Sequence, residues 1–279
     1  MNLKGKNALI TGGGRGLGKA VAVALANEGV NVGITGRNEE SLKTTVAELE
    51  KLGVKAAYSV FDVEEMAQVE QGVASIASQL GSIDILINNA GVGITGPIEE
   101  IPTEEIRNNF ETNLFGPIEV MKAVLPQMRA QKSGLIINIT SIAGYMGLPY
   151  RGIYSASKGA LELITEALRM EVKSFGIQIT NVAPGDFATN IAAGRYHAPV
   201  VKGSAYEVPY GNTLKEMDSH VDSGSNPNEM AEAIFAIIQT DKPKVHYKVG
   251  AFMQKFSIVL KRILPDTVYE KMLMNHYKL

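Results

Sequence analysis

The 279-residue sequence contains no cysteine and no tryptophan. The lack of cysteine excludes disulfides, thiolate metal ligands and a cysteine nucleophile, and it fits the reducing cytoplasm. Histidine is also scarce, with four residues in the whole chain: His197, His220, His246 and His276. Since none of them shows metal-ligand spacing, we predict no metal site. His197 and His220 are interpreted as surface residues.

A strong excess of one charge and a long apolar run are also missing. The 27 basic and 29 acidic residues are dispersed and give a net charge of −2, so no nucleic-acid partner is expected. No run approaches the roughly 18 apolar residues of a membrane span, and the segment 1–6 does not resemble a signal peptide. We therefore predict a cytoplasmic protein. Because 45% of its residues are hydrophobic, the chain can bury a large core.

Short apolar segments alternate with amphipathic ones along most of the chain. Strands are predicted at 7–11, 30–35, 55–61, 84–88, 134–140, 178–182 and 244–249. Helices are predicted at about 16–27, 39–52, 104–129 and 153–174. This alternation is typical of an α/β fold with a doubly wound parallel sheet and helices on both faces. No linker or repeat divides the chain, so one domain is expected.

The last third of the sequence is harder to interpret. We assign 1–250 to the main domain and predict a substrate lid at about 190–226, where the periodicity is lost and Tyr196, Tyr206 and Tyr210 occur. These tyrosines either stack on a ligand or serve only the internal contacts of the lid. The segment 251–279 is predicted to form an amphipathic helical extension of the same domain. It could cover the substrate opening, pack at a subunit interface or touch membrane lipid, and burial against its own domain or a partner subunit is favoured over lipid contact.

A glycine-rich turn follows the first predicted strand and opens the first predicted helix. Its sequence is Thr-Gly-Gly-Gly-Arg-Gly-Leu-Gly, from Thr11 to Gly18. Glycines at 12, 16 and 18 allow the backbone to approach a pyrophosphate at the helix N-terminus. A plain strand-to-helix turn is the alternative, but the position of this segment favours a dinucleotide site.

The residue at the end of the second strand indicates which dinucleotide binds. An acidic residue there would accept hydrogen bonds from the adenosine ribose and repel a 2′-phosphate, but this chain has Gly36 followed by Arg37. Arg37 and Arg15 could both reach one phosphate, so we predict NADP(H), the alternative being two solvated arginines. Asp62 is expected to contact the adenine amine or to cap the helix that follows it.

Tyr154 and Lys158 are four residues apart, which places a phenol and an ammonium on the same side of a predicted helix. A cation beside a phenol favours the phenolate, so Tyr154 is a candidate general acid or base for a carbonyl or hydroxyl oxygen. The pair alone is weak, since the same spacing arises by chance on exposed helices. Additional motifs are needed to support it.

Such motifs are present on both sides of the pair. Along the chain the full set is Asn88-Asn-Ala-Gly91, Asn113, Ser141, Tyr154, Lys158 and Pro184-Gly185. From residue 3 to about residue 190 the sequence resembles the single-domain short-chain dehydrogenase/reductases, which have a Rossmann-type fold. The resemblance implies that Asn113 is the catalytic asparagine and Ser141 orients the substrate. It implies that Tyr154 is the acid/base and Lys158 binds the cofactor ribose, with Asn113 kinking its helix and holding a water that relays protons.

The resemblance also implies the contacts of the cofactor and the assembly. The predicted cofactor-binding residues are Gly12, Gly14, Arg15, Gly16, Leu17, Gly18, Arg37, Asn38, Asp62, Val63, Asn89, Ala90, Gly91, Tyr154, Lys158, Pro184, Gly185, Phe187 and Thr189. Members of this family commonly form homotetramers or homodimers. The expected interface here comprises the helices predicted at 104–129 and 153–174.

The middle of the chain, residues 88–176, is similar to the branch with 17β-hydroxysteroid and retinol dehydrogenases, which favours bulky lipophilic ketones and alcohols. The pair Asp186-Phe187 departs from the usual small apolar pair of that branch. From the predicted cofactor and the similarity to this branch, the predicted function is an NADPH-dependent carbonyl reductase acting on a hydrophobic ketone or secondary alcohol. A 3-oxoacyl-acyl-carrier-protein reductase remains an alternative, and a non-catalytic dinucleotide-sensing scaffold is the alternative outside enzymes.

Overall fold

The computed structural model describes residues 3–187, 194–221 and 226–279, apart from the side chains of 216 and 218–221. Its strands are β1 Asn7–Thr11, β2 Asn31–Gly36, β3 Ala56–Val60, β4 Ile85–Asn88, β5 Ile94–Thr95, β6 Gly134–Ile139, β7 Ile177–Pro184, β8 Tyr196–His197 and β9 His246–Val249. Its α-helices are α1 Gly16–Asn27, α2 Glu39–Glu50, α3 Met66–Leu80, α4 Thr103–Phe110, α5 Gly116–Gln131, α6 Gly152–Glu171, α7 Glu207–Val221, α8 Pro227–Ile238, α9 Phe252–Ile263 and α10 Asp266–Tyr277.

Seven strands form one parallel sheet in the order β3-β2-β1-β4-β6-β7-β9. Along β1, the side chains of Ala8 and Ile10 join a cluster with α1, α2 and α8, while Leu9 joins a second cluster with α3, α5 and α6. Both faces of the sheet are therefore covered, which explains why its central strands β1 and β4 are mostly apolar and fully buried. The predicted doubly wound α/β fold is confirmed.

The strand order places the functional edge of the sheet. After β3 the chain crosses back past β1 to form β4, so the connections that leave the carboxyl ends of the adjacent strands β1 and β4 run to opposite sides of the sheet order. In open parallel sheets a ligand crevice forms at this reversal. The glycine-rich turn follows β1 and the Asn-Asn-Ala-Gly segment begins in β4, so both motifs lie at the same crevice.

The helix predicted over 104–129 is interrupted. α4 and α5 are joined by a π-helical turn over Glu111–Phe115, which contains Asn113. The widened turn directs the Asn113 amide to the backbone of Val92, with Oδ1 accepting from N–H at 2.9 Å and Nδ2 donating to C=O at 2.8 Å. Such turns commonly occur at functional sites.

The predicted lid contains more regular structure than its sequence suggests. The aperiodic stretch at about 190–226 includes the 15-residue helix α7, and α8 follows it without having been predicted. Pro209 and Gly211 lie within α7, and two such helix-disfavouring residues conceal its periodicity. Residues 188–193 and 222–225 of this region lie outside the described residues.

The C-terminal extension was predicted as one amphipathic helix, but it consists of α9 and α10, separated at Leu264 and Pro265. Ile258 of α9 and Tyr269 of α10 are buried against Ile142, Met146 and Ala183. The extension therefore contacts the turn that follows Ser141. Over the described ranges, none of the helices is long and apolar enough to cross a membrane.

Candidate active site

A cleft of about 400 Å³ opens at the crevice between β1 and β4. Thirteen of the predicted cofactor residues line it: Gly12, Gly14, Arg15, Gly16, Leu17, Gly18, Arg37, Asn38, Asp62, Val63, Asn89, Ala90 and Gly91. Five others, Tyr154, Lys158, Pro184, Gly185 and Phe187, are described but lie outside this lining. Thr189 falls outside the described residues. Nor do the described residues include any group of three or more histidine or acidic side chains arranged to hold a metal ion.

The glycine-rich turn has the geometry of a phosphate cradle. Gly12 and Gly16 have φ angles of +66° and +54°, which side chains disfavour, and a Cβ on Gly18 would overlap the Gly12 carbonyl oxygen. Space beside Gly16 is open, since a Cβ there would meet no atom within 4 Å. The first amides of α1 can therefore face a diphosphate, and the residues present fit a dinucleotide.

Thr11 joins the two sides of the crevice, a role that the sequence interpretation missed. Its hydroxyl accepts hydrogen bonds from the backbone N–H groups of Asn89 and Ala90, both at 3.0 Å. The Asn89 side chain returns a bond of 2.9 Å to the Thr11 carbonyl. Asn88 instead points into the sheet and donates to Asn138 Oδ1 at 2.9 Å. Of the two asparagines in the motif, Asn88 thus stabilises the sheet and Asn89 lines the cleft.

The adenosine end of the cleft carries two cations and one carboxylate among its described lining residues. Arg37 Nη1 lies 3.4 Å from Asp62 Oδ2, with 64% of the arginine side chain exposed. Asp62 also accepts from the Glu64 N–H, and α3 begins later, at Met66, so Asp62 does not cap that helix. Asn38 caps α2 by accepting from Ser41 N–H at 2.8 Å. Its side-chain oxygen is therefore already engaged.

Asn113 and Lys158 converge above Gly91. A Cβ added to Gly91 would lie 3.1 Å from Asn113 Oδ1 and 3.2 Å from Lys158 Nζ. Lys158 is buried and donates to the Ile139 carbonyl at 3.0 Å. Burial lowers the pKa of Lys158 to about 8, because an ammonium is poorly solvated there. The predicted asparagine and lysine thus share one small space at the end of β4.

Asn113 is held by residues that the sequence interpretation did not identify. Its Nδ2 lies 3.2 Å from Ser157 Oγ, and Ser157 in turn donates to Asn109 Oδ1 at 2.9 Å. Ser157 precedes Lys158 on α6, and Asn109 lies one turn before Asn113. The sequence could have indicated these contacts with Asn113 only through position, because Ser157 is next to Lys158 and Asn109 is four residues before Asn113.

Ser141 starts a short 3₁₀ turn, Ile142–Tyr145, and its hydroxyl accepts from the Ala143 N–H at 3.2 Å. The turn approaches α6 closely through two glycines. A Cβ on Gly159 would lie 2.8 Å from the Gly144 carbonyl oxygen, and a Cβ on Gly144 would lie 3.0 Å from the Gly159 nitrogen. These glycines bring the Ser141 loop against the helix that carries Tyr154 and Lys158.

Tyr154 is half-buried against an apolar wall formed by Ile94, Ala198 and Tyr210. The Arg151 guanidinium lies 5.4 Å from the centre of the Tyr154 ring. The lid tyrosines serve internal contacts: Tyr210 is fully buried and donates to the Ala198 carbonyl at 2.9 Å, and Tyr206 donates to Glu99 at 2.8 Å. Tyr206 and Tyr210 therefore form part of the apolar cluster around Tyr154.

The Phe187 side chain is buried in the core cluster beside α8, so the predicted cofactor contact at this position would fall to its backbone. The expectation for His197 needs correction. His197 is half-buried within β8 rather than lying on the surface, while the side chain of His220 is outside the described residues. Gln254 of α9 was not among the predicted site residues. It lies directly against Gly185, since a Cβ on Gly185 would clash with the Gln254 Oε1.

The comparisons with known proteins agree with this geometry. The family model for the short chain dehydrogenases matches residues 6–199. The chain is 38% identical over 270 residues to a 3-ketodihydrosphingosine reductase of Bacteroides thetaiotaomicron, covering 96% of this chain and 97% of that protein.

Two solved structures are similar over most of their length. A short-chain dehydrogenase/reductase of Burkholderia phymatum in complex with NAD has a TM-score of 0.84, 26% identity and 94% coverage of each chain. An alcohol dehydrogenase of Thermococcus sibiricus complexed with 5-hydroxy-NADP has a TM-score of 0.74 and 26% identity, covering 88% of this chain and 97% of that one. The protein belongs to the short-chain dehydrogenase/reductase family. It is an oxidoreductase that acts on alcohol or carbonyl groups with a nicotinamide dinucleotide.

Proposed function

We propose that the protein is an NADPH-dependent carbonyl reductase acting on a hydrophobic ketone, and that the reverse oxidation of the alcohol uses the same residues. The observation that carries this proposal is the convergence of Asn113 and Lys158 over Gly91, with Tyr154 one turn before Lys158 on α6. A scaffold that only bound the dinucleotide would need the glycine-rich turn but no proton donor.

The proposed mechanism assigns one task to each side chain. When bound, the cofactor supplies the hydride to the carbonyl carbon. Ser141 accepts a hydrogen bond from its own turn, so its hydroxyl hydrogen is available to the substrate oxygen. Tyr154 donates the proton to that oxygen as the alcohol forms. Lys158 is an ammonium below its pKa of about 8 and would hold the cofactor ribose one helical turn from Tyr154.

NADP(H) is proposed because of the charges at the adenosine end. β2 ends at Gly36 without a carboxylate, and Arg15 and Arg37 both line the cleft. The ion pair of Arg37 with Asp62 is exposed and 3.4 Å long, an arrangement of little energetic weight. The guanidinium can therefore reorient toward a 2′-phosphate at little cost. Ser41 lines the same cleft, but its hydroxyl already donates to the Asn38 carbonyl at 2.9 Å, so the proposal rests on the two arginines.

A lipophilic substrate is supported by the walls around the Ser141 loop. Ile142, Met146 and Ala183 form a buried apolar cluster with Ile258 and Tyr269 of the extension, and a second apolar cluster surrounds Tyr154. The name of the Bacteroides relative, 3-ketodihydrosphingosine reductase, supports a ketone on a long alkyl chain. Steroid, retinoid and β-ketoacyl carbonyls remain the other substrates to test.

The catalytic assignment is tested with Tyr154→Phe. We expect turnover to fall by about 10³-fold or more while NADPH binding is retained, because only the proton donor is removed. Tyr58→Phe is the matched control, since the Tyr58 hydroxyl donates to the exposed Glu39 and lies outside the cleft lining. The substrate panel comprises 3-ketodihydrosphingosine, steroid ketones, retinal and β-ketoacyl thioesters. NADPH binding without turnover of any of them would instead support the sensing scaffold.

The cofactor assignment is tested with Arg37→Asp. The new carboxylate should repel the 2′-phosphate and accept hydrogen bonds from a ribose diol, so the preference should move from NADPH toward NADH by roughly 10²-fold in kcat/KM. Arg107→Asp on α4, outside the cleft lining, is the control. A wild-type protein that prefers NADH would refute the NADP(H) proposal directly.

We also propose a homo-oligomer, a dimer or tetramer, assembled through α5 and α6. Support comes from three exposed apolar side chains on α6: Leu163, Ile164 and Met170 are 67%, 39% and 73% exposed. Exposed apolar side chains in such number on one helix are typical of an interface. Sedimentation velocity of the wild type and of a Leu163→Asp variant would decide the point, with a monomeric wild type contradicting it.

A further inference from the structure

The outer side of α9 is apolar, which is the reverse of the usual arrangement of a surface helix. Five of its apolar side chains are exposed: Phe252, Met253, Phe256, Val259 and Ile263. At 100° per residue these positions fall within an arc of about 120° that faces away from the protein. The rings of Phe252 and Phe256 stack on this outer face with their centroids 5.6 Å apart.

The inner side of α9 is fixed to the protein by both polar and apolar contacts. Gln254 Nε2 donates to Asp186 Oδ2 at 2.8 Å, and Ser257 Oγ lies 3.8 Å from Met146 Sδ. Ile258 is the buried apolar residue of this helix. Turning the helix to bury the phenylalanines would break these contacts. Within the part of the chain that the structure describes, the outer face therefore stays exposed and is open to a binding partner.

The charges around this face indicate what covers it. Lys255 and Arg262 lie at one edge of the apolar arc, and α9 contains no acidic residue. Residues 251–279 include five basic and two acidic residues, although the whole chain has a net charge of −2. An apolar stripe bordered by cations is complementary to a surface that has both acyl chains and phosphate groups.

A second copy of the chain fits this face less well. A two-fold interface brings the same patch of both copies together, so the Lys255 and Arg262 side chains of two helices would gather at one contact with no carboxylate on α9 to pair them. Anionic headgroups would instead neutralise these cations. Lysine and arginine side chains close to an anionic membrane each add to the binding.

We propose that the protein docks on anionic phospholipid membranes through α9, with Phe252 and Phe256 among the acyl chains and Lys255 and Arg262 at the level of the phosphates. α9 also contacts Gly185 and Asp186 and, through Ile258, the cluster next to Ser141. A membrane-dissolved ketone would thus enter beside the reaction site. Only this last point rests on the proposed function, because docking itself requires no turnover.

The lack of tryptophan makes a direct test possible. A Phe256→Trp variant carries a single indole on the outer face, and Met66→Trp carries one at a 55% exposed position on α3. Vesicles of phosphatidylglycerol and phosphatidylcholine in equal parts should shift the Phe256→Trp emission to shorter wavelength and leave Met66→Trp unchanged. Pure phosphatidylcholine vesicles should give a smaller shift, and added salt should weaken binding to the anionic vesicles.

Flotation with the same vesicles tests the residues involved. The wild type should float, whereas Phe252→Ser/Phe256→Ser and Lys255→Gln/Arg262→Gln should each reduce the floating fraction at least about tenfold. The matched controls, Leu52→Ser/Met66→Ser and Lys51→Gln/Lys242→Gln, change exposed residues elsewhere and should float like the wild type. Circular dichroism melting of every variant verifies that it is folded.

Two results would overturn the proposal. One is the absence of flotation and of any emission shift with anionic vesicles. The other is a concentration-dependent dimer in sedimentation velocity that Phe252→Ser/Phe256→Ser abolishes, again without vesicle binding, which would assign the outer face to a second copy. Turnover of a water-soluble ketone in vesicle-free buffer separately tests the proposed function, so either failure can be recognised without the other.

Discussion

Gly91 shows how closely the site depends on single atoms. It ends the Asn-Asn-Ala-Gly motif, and its missing side chain leaves the space occupied by Asn113 Oδ1 and Lys158 Nζ. The motif was apparent in the sequence, but its purpose was not. Sequence spacing cannot show that residues 91, 113 and 158 meet, because their contact depends on the π-helical turn over Glu111–Phe115.

We predict that Gly91→Ala impairs turnover without unfolding the protein. Its Cβ would lie 3.1 Å from Asn113 Oδ1 and 3.2 Å from Lys158 Nζ, so both groups must move by a few tenths of an ångström. Such displacements should lower kcat by roughly 10- to 100-fold. Gly147→Ala is the control, since no atom lies within 4 Å of its Cβ position. Unchanged kcat in Gly91→Ala would contradict this account of the site.

A second residue-scale feature lies on α6, one turn beyond Lys158. Glu162 is buried and accepts a hydrogen bond from Thr140 Oγ1 at 2.9 Å. Burial raises the pKa of Glu162 to about 7, and the nearby Glu166 acts in the same direction, opposed by hydrogen bonds from Thr140 and Tyr145 and by Lys248. The folded protein therefore holds a proton here at pH values where an unfolded chain has released it.

Stability should accordingly fall as pH rises from 4.5, the ordinary pKa of a glutamate, to about 7. Glu162→Gln removes this titration. Over the same pH range, the wild type should lose on the order of 2 kcal/mol more free energy of unfolding than the variant does. Urea denaturation at several pH values measures the difference. The exposed Glu171→Gln on the same helix should behave like the wild type. Parallel pH profiles for wild type and Glu162→Gln would disprove the assignment.

At the scale of elements, the central strands β1, β2 and β4 were predictable because they are buried along most of their length and end at Thr11, Gly36 and Asn88. β1 and α1 have the predicted bounds, Asn7–Thr11 and Gly16–Asn27. α3 and α8 were not predicted, and two further errors occurred where a tertiary contact overrides local periodicity. The π-helical turn at Asn113 depends on bonds to Val92, and α7 is anchored through the buried Tyr210.

α9 of the extension has one buried and one exposed apolar region, and substitutions in the two regions should affect stability differently. Ile258 of α9 is buried, while Ile263 of the same helix is 67% exposed. We predict that Ile258→Ala lowers the free energy of unfolding by about 2–4 kcal/mol, because it leaves a cavity against Met146 and Ala183. Ile263→Ala should change it by less than about 0.5 kcal/mol. Chemical denaturation of both variants measures this, and equal effects would refute the assigned orientation of α9.

At the scale of the whole molecule, the doubly wound sheet could be predicted from alternation alone, but the strand order could not. The order fixes the crevice between β1 and β4, where the two glycine-containing motifs meet. The relation of the extension to the site was equally hidden from the sequence, because Gln254 lies 69 residues beyond Gly185 and 113 beyond Ser141. Only the folded chain shows that residues 251–279 contact the turn after Ser141.

These contacts imply that the extension and the sheet unfold together as one domain. A chain ending at Gly250 would expose Ile142, Met146 and Ala183 and lose the Gln254 bond to Asp186. We predict that this truncation lowers Tm by on the order of 10 °C, because several kcal/mol of apolar burial are removed from a protein of this size. Scanning calorimetry should give one transition for the full chain. An unchanged Tm after truncation, or two transitions in the full chain, would mean that residues 251–279 form a separate unit.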